Sequence, residues 1–461
     1  MEEILSAAPP GGRTLIAGGT LWLEDGPRRA DVLIEAGRVA AVDSLSGHVH
    51  GAEVIEAAGL HVLPGFIDVH VHLADRIGRF EIADDFRSGS AVAVCNGITT
   101  IASFATQRPG ETLREAVARM AASASDRSYC DYTFHLTPTR FGVDEWRDLA
   151  ELSLRGYSTV KLYTTYRDAG LFTDEATLEV VSRRLLTLGM RSLLHCEDDD
   201  TLGGVDPAAV DLSDPFSHTV LRPPRAEALA VHRAVGLAQR TGCPLHVVHV
   251  STVEAAVVMD AARGRAPVTC ETAPQYLLLS DQVLRGPDGH RFLCTPPLRS
   301  EENRAELERW AAASGFDLFA TDHCPFLGSD QDSLAGDIRH VPKGLPGLGA
   351  LVPLLFELLV KTHGLSLGEL ALRLSGNPAR LLGVHPRKGV IRVGADADLV
   401  VIDPYGSARP IISTLRDCHD PWAGRTTNLA VRYVLLRGET VVRDGSLVAA
   451  QRPSGDDLHP L

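Results

Sequence analysis

The chain reads as an α/β protein: a (β/α)8 TIM barrel carrying a small discontinuous β-sandwich built from both chain ends. Three observations predict this. The first is a rhythm of eight short apolar runs: Phe66–His72, Thr99–Ala105, Asp131–Thr137, Thr159–Tyr163, Arg191–Glu197, Leu245–Ser251, Pro267–Pro274 and Asp317–His323. Helix-like segments such as Glu111–Arg127, Asp174–Gly189 and Arg225–Thr241 separate them. Eight strands alternating with helices build a parallel sheet that closes on itself. The second is that both ends read as β. RTLIAGGTLWLEDGPRRADVLIEAGRVAAVDSL and GVIRVGADADLVVIDP…LAVRYVLLRGETVVRDG are short apolar runs broken by Gly and Asp-Gly, the punctuation of hairpins. The third is length: 461 residues exceed one ordinary core but suit a barrel with an appendage. The expected boundaries are 1–62 and 386–450 for the two parts of the sandwich, 63–385 for the barrel and 451–461 for a tail.

Composition narrows the class of partner. A net charge of −14 argues against nucleic acid, because phosphate binding needs a basic face. No apolar run reaches the roughly 18 residues that a membrane helix needs, and MEEILSAAPPGGRT lacks the basic and apolar regions of a signal peptide. The eight cysteines (95, 130, 196, 243, 270, 294, 324 and 418) form no CxxC pair and read as small buried residues of a protein in the reducing cytoplasm.

The chemistry lies at the ends of the apolar runs. Run one ends in His70-Val71-His72, whose side chains, two apart on a strand, face the same way. Run four carries Lys161, run five His195, run six His249 and run eight Asp322. Taken singly, each is an ordinary core histidine, an ion-paired lysine or a turn aspartate. Their joint position decides, because the C-terminal ends of barrel strands converge at one mouth. Histidines with a carboxylate suit zinc and related divalent ions. An ammonium at Lys161 is then disfavoured beside cations, so it must be neutral, displaced or chemically changed.

In order along the chain, PGFIDVHVHL, VKLYTTY, LLHCE, HVVHVS, ETAPQYLLLS, TPPLR and ATDHCPF resemble the motifs of the amidohydrolase superfamily. With ADDFRSGSAVAVCNGITTI and HTVLRPPRAEA, they are most similar to the cyclic amidohydrolases of the hydantoinase and dihydropyrimidinase branch, over about residues 12 to 445. The resemblance implies a binuclear metal hydrolase that opens a cyclic amide or ureide ring to an N-carbamoyl or related product. It implies that His70, His72 and Asp322 hold the more buried metal, that His195 and His249 hold the more exposed one, and that Lys161 bridges them as a carbamate. Zinc is expected, with manganese and cobalt as alternatives. Tyr166, five residues after Lys161, matches the tyrosine that stabilises the oxyanion, and Asp322 matches the proton shuttle. Thr295 and Lys343 fall at substrate-binding positions where hydantoinases usually carry serine and asparagine.

Departures keep other readings open. Ala74 stands where dihydroorotases place an arginine, and Gln275 replaces the histidine usual in dihydroorotases and allantoinases. The 74–79 loop is not typical of hydantoinases either. Arg76, Arg79 and Lys343 are either solvated surface or contacts to an anionic substrate group. His135 and His323 read as structural or solvent-facing. An allantoinase-like or dihydroorotase-like ring opener, a lactamase acting on a specialised metabolite and a non-catalytic scaffold remain alternatives. Relatives of this kind are usually dimers or tetramers, and no stretch here forces either; a smaller assembly is expected only if relatives use a longer tail to bind their neighbours.

Overall fold

Eight parallel strands form the centre of the computed structural model, which describes residues 12–448 and 452–461 apart from positions 46, 48 and 314. The leader reading and the first eleven residues of the expected sandwich lie outside the described residues. The barrel strands are Phe66–Asp68, Ile98–Thr106, Asp131–Thr137, Thr159–Tyr163, Arg191–His195, Leu245–Val247, Val268–Thr272 and Leu318–Phe319. Each pairs with the next in chain order. A parallel bridge between Val71 and His323 joins the last to the first, and the His72 N–H donates to the His323 carbonyl at 2.8 Å.

The intervening helices follow local rules. Leu113–Ala124 starts at a capping box in which the Thr112 hydroxyl accepts from the Glu115 N–H while the Glu115 carboxylate accepts from the Thr112 N–H. It buries Leu113, Ala116, Val117, Met120 and Ala124, a 3.6-residue stripe against the barrel. Pro224–Thr241 opens with proline, where the missing N–H costs nothing, and ends at Gly242 with φ +71°.

Strands one, six and eight are shorter than the apolar runs that foretell them. The chain leaves the ladder before His70, His249 and Asp322, and the last two adopt left-handed backbone, φ 39° and 50°. The functional ends of the runs are therefore loops seated on strand ends.

The chain ends build one nine-stranded sheet. Arg13–Leu23, Gly26–Glu35, Arg38–Asp43, Ala52–Glu56 and His61–Pro64 come from the N-terminal side, and Leu399–Asp403, Ala430–Leu436, Glu439–Arg443 and Ser446–Leu447 from the C-terminal side. The seam is His61–Pro64, paired antiparallel with Leu399–Asp403 and parallel with Arg13–Leu23. Strand alternation then serves two cores. Leu399 and Val401 join a core internal to the sheet with Ile16, Val32 and Val62, while Val400 and Ile402 point into the main core beside Phe66 and Ile98. Among the described residues, no helix is long and apolar enough to cross a membrane.

Candidate metal centre

Three of the expected ligands stand together. One ligand atom from each of His70, His72 and Asp322 lies within 4.8 Å of the others. His70 Nε2 is 3.2 Å and His72 Nε2 3.4 Å from Asp322 Oδ1. The ring of His72 stacks on Phe104 at 4.6 Å, which fixes its plane. The remaining expected groups surround this trio. The His249 ring lies 5.4 Å from that of His70 and 4.6 Å from that of His195. Lys161 is 1% exposed, lies over the rings of Phe104 and Tyr163, and makes no ion pair among the described residues. Burial lowers its ammonium to about 8.

Carboxylates behind the histidines set their orientation. The His70 Nδ1–H donates to Glu271 Oε1 at 2.7 Å, leaving Nε2 for the mouth. Glu271 Oε2 also meets His246 Nε2 at 3.1 Å, and His246 Nδ1 is 2.8 Å from the Thr269 hydroxyl. On the other side Glu197, fully buried, accepts from His195 Nε2 at 2.9 Å and from Arg222 at 2.6 Å. Burial opposes ionisation of both glutamates, but their cationic and imidazole partners hold them well below the usual carboxylate range. Burial likewise keeps His249 well below its ordinary value, reinforced by His195 and Lys161. His249 is therefore a neutral imidazole with a lone pair available.

The donor set fits a divalent cation. His249 Nδ1 is buried with no hydrogen-bond partner, and buried polar atoms are rarely left so. The histidine–carboxylate pairs are the arrangement by which metal-binding imidazoles are commonly aimed. Backbone strain gathers here too. Ala74, Tyr166, His249 and Asp322 all have positive φ, at about 1–3 kcal/mol each for a residue that is not glycine.

Tyr166 and Thr295 line the same mouth. The Tyr166 ring is 5.1 Å from that of His195, its hydroxyl faces Thr295, and Arg222 lies over its face at 5.2 Å. Thr295 Oγ1 is 3.4 Å from His218 Nε2, which donates to the Cys294 carbonyl at 3.0 Å. Lys343 is half-buried beside this group, with Nζ on the carbonyls of Val341 (3.0 Å) and Arg339 (3.4 Å). Arg76 and Arg79 are exposed on a small hairpin. His135 and His323 are fully buried, so of their two readings the structural one holds. His323 meets Asp84 at 3.1 Å and accepts from the Gly347 N–H.

Sequence reading missed Glu271, Glu197, Arg222, His218 and His246. The signal for the glutamates was a carboxylate embedded in an apolar strand run, which is rarely buried unpaired.

A model described as the amidohydrolase family matches residues 61–441. A D-hydantoinase of Streptomyces coelicolor is 36% identical over 94% of this chain and 95% of its own length. A D-phenylhydantoinase of Escherichia coli is 34% identical over the same shares. Among solved structures, dihydropyrimidinase from Brevibacillus agri superposes with a TM-score of 0.92 at 32% identity, covering 97% of this chain and 98% of its own. D-hydantoinase from a Bacillus sp. superposes at 0.91 and 34%, with the same coverage. These matches run through both the barrel and the terminal sheet, and they place the chain in the amidohydrolase family, on its hydantoinase and dihydropyrimidinase branch.

Proposed function

We propose that the protein is a binuclear metal-dependent hydrolase that opens a cyclic amide or ureide ring, of the hydantoin or dihydropyrimidine kind, to an N-carbamoyl product. The observation that carries this reading is the meeting of His70, His72, Lys161, His195, His249 and Asp322, scattered over some 250 residues of sequence, at one barrel mouth. Relatives named for ring-opening of hydantoins support it.

His70, His72 and Asp322 would hold the more buried cation and His195 and His249 the other. Lys161 would bridge them as a carbamate, formed when its neutral amine adds to CO2 and releases one proton. Zinc suits these donors, with manganese or cobalt as substitutes. Such cations supply Lewis acidity and a bound water whose pKa falls toward neutrality. The chain supplies the rest. Burial raises the Tyr166 phenol, so it stays protonated and can donate to the ring carbonyl oxygen as negative charge develops there. Burial works against ionisation of Asp322, but His70 and His72 hold it well below its usual range. It can therefore accept the proton of the attacking water and pass it to the departing nitrogen. Thr295 and Lys343 would position the ring, the latter partly through its backbone.

We further place the protein in the reducing cytoplasm, since all eight cysteines are free, and as a homodimer or homotetramer, following the family resemblance. The test of the reading is elemental analysis of protein purified without chelator, joined to a panel of hydantoins, dihydropyrimidines, dihydroorotate and allantoin. Two divalent ions per chain and turnover of a hydantoin or dihydropyrimidine are expected. A metal-free protein, inert on every ring after addition of zinc, manganese or cobalt, would refute it.

A further inference from the structure

Lys343 is anchored at the mouth by backbone. The Gly344 N–H donates to the Leu293 carbonyl at 2.8 Å, two residues before Thr295. Leu345 bridges His323, and the Cys324 N–H donates to the Leu345 carbonyl at 2.9 Å, next to Asp322. Glycine at 344 is required by this approach, since a Cβ there would stand 2.3 Å from the Cys324 carbonyl. The segment bearing Lys343 therefore lies between the loop of Asp322 and the loop of Thr295.

The charge of Lys343 is left uncompensated there. An ammonium has three donors. Two meet carbonyls of its own loop, and among the described residues no carboxylate lies within ion-pair distance. Asp337, the nearby acid, is taken by Arg339 at 3.0 Å. The neighbours do not supply a countercharge either. The Glu197 carboxylate is already paired with Arg222. His218 is held well below its ordinary value, by burial first and then by Lys343 and Arg222, so it is neutral. A half-buried cation without a partner is costly unless a ligand completes it.

We propose that Lys343 is a specificity residue that binds a carboxylate or comparable anion carried by the substrate ring. The ring amide reacts beside Tyr166 and Asp322, and the acidic substituent reaches the 338–343 loop. Arg76 and Arg79, by contrast, are exposed to solvent on their hairpin. The inference rests on the ring-opening reading and sharpens its substrate class from neutral to acidic rings.

The test pairs a hydantoin bearing a carboxyalkyl group at C5 with its neutral carboxamide isostere. Both turnover and calorimetric binding are measured on metal-loaded enzyme. The wild-type protein is expected to favour the acid at least 10-fold in kcat/KM. Lys343→Met should bring that ratio close to one, raising the acid's KM and weakening its Kd by roughly 10-fold, the scale of about 1.4 kcal/mol. Lys343→Arg should keep most of the preference. A wild-type ratio near one, or a ratio unmoved by Lys343→Met, would overturn the assignment while leaving ring opening intact. Turnover of neither compound, with no binding of either, would remove both readings.

Discussion

His70 can offer Nε2 to a cation because Glu271 occupies Nδ1, and that one hydrogen bond separates two effects usually merged in a metal site. Glu271→Gln keeps the shape but removes the charge that fixes the tautomer and raises ring basicity. Metal affinity is expected to fall about 10- to 100-fold, with kcat recovering at saturating metal. Asp322→Asn should behave in the opposite way. Some metal should remain bound, but kcat is expected to fall by several orders of magnitude, since the proposed acceptor of the water's proton is gone. Chelator competition and steady-state kinetics on both variants measure the split, and equal losses in both quantities for both variants would refute it. The difference in legibility between the two residues is physical. Asp322 ends an apolar run, where barrel geometry makes any polar group suspect. Glu271 acts only by reaching His70 across 201 residues of sequence, a pairing that no local pattern encodes. Arg222 and His218 sit on or beside a short helix of the loop after strand five, whose path toward Tyr166 and Thr295 is set by tertiary packing.

The last ten residues form an element that composition marked only as a tail. They dock on the third barrel strand. Tyr132 N–H donates to the Asp456 carbonyl, and Leu458 N–H to the Tyr132 carbonyl, both at 2.9 Å. Leu458 enters a core with Val69, Leu193 and Val248. The backbone presses so closely that a Cβ on Gly455 would lie 1.8 Å from the Cys130 carbonyl. Two titrations on this element oppose each other. Burial raises Asp457 from 3.8 to about 6, so its contribution to docking is full below 3.8 and is lost as pH rises through about 6. Burial lowers His459 from 6.5 to about 4, so its contribution is full above 6.5 and is lost as pH falls through about 4. In the unaltered chain the two slopes largely cancel between pH 4 and 6. Asp457→Asn should leave docking that weakens as pH falls, and His459→Gln docking that weakens as pH rises. Hydrogen exchange at the Leu458 amide reads both, and slopes of the same sign in the two variants would show that these groups do not govern the tail.

At the scale of the whole molecule, the barrel, the terminal sheet and the tail meet at one buried ionic cluster. Lys388 Nζ bonds Asp131 at 2.6 Å, at the start of the third barrel strand, and also Asp398 at the edge of the returning sheet strand. Arg437 bonds Asp131 and the Ser454 carbonyl of the tail. Burial opposes the charge on Lys388, but Asp398 and Asp131 outweigh it and hold the ammonium above its usual range. The architecture itself was readable, because eight short apolar runs with helices between them admit few other solutions. This junction was not, since Asp131, Lys388 and Asp398 each look like ordinary surface charges until the two ends of the chain come together. Breaking it should therefore cost more than any surface pair. Lys388→Met leaves Asp398 buried without its cation and Asp131 with Arg437 alone, and a loss of about 3–5 kcal/mol is expected. Adding Asp398→Asn removes the stranded charge and should return part of that loss, with Arg437 still compensating Asp131. Denaturant midpoints of the single and double variants decide it. A single variant within about 1 kcal/mol of the parent, or a double variant no more stable than the single, would mean that water reaches the cluster and that the apolar seam through Val400 and Ile402 alone joins sheet to barrel.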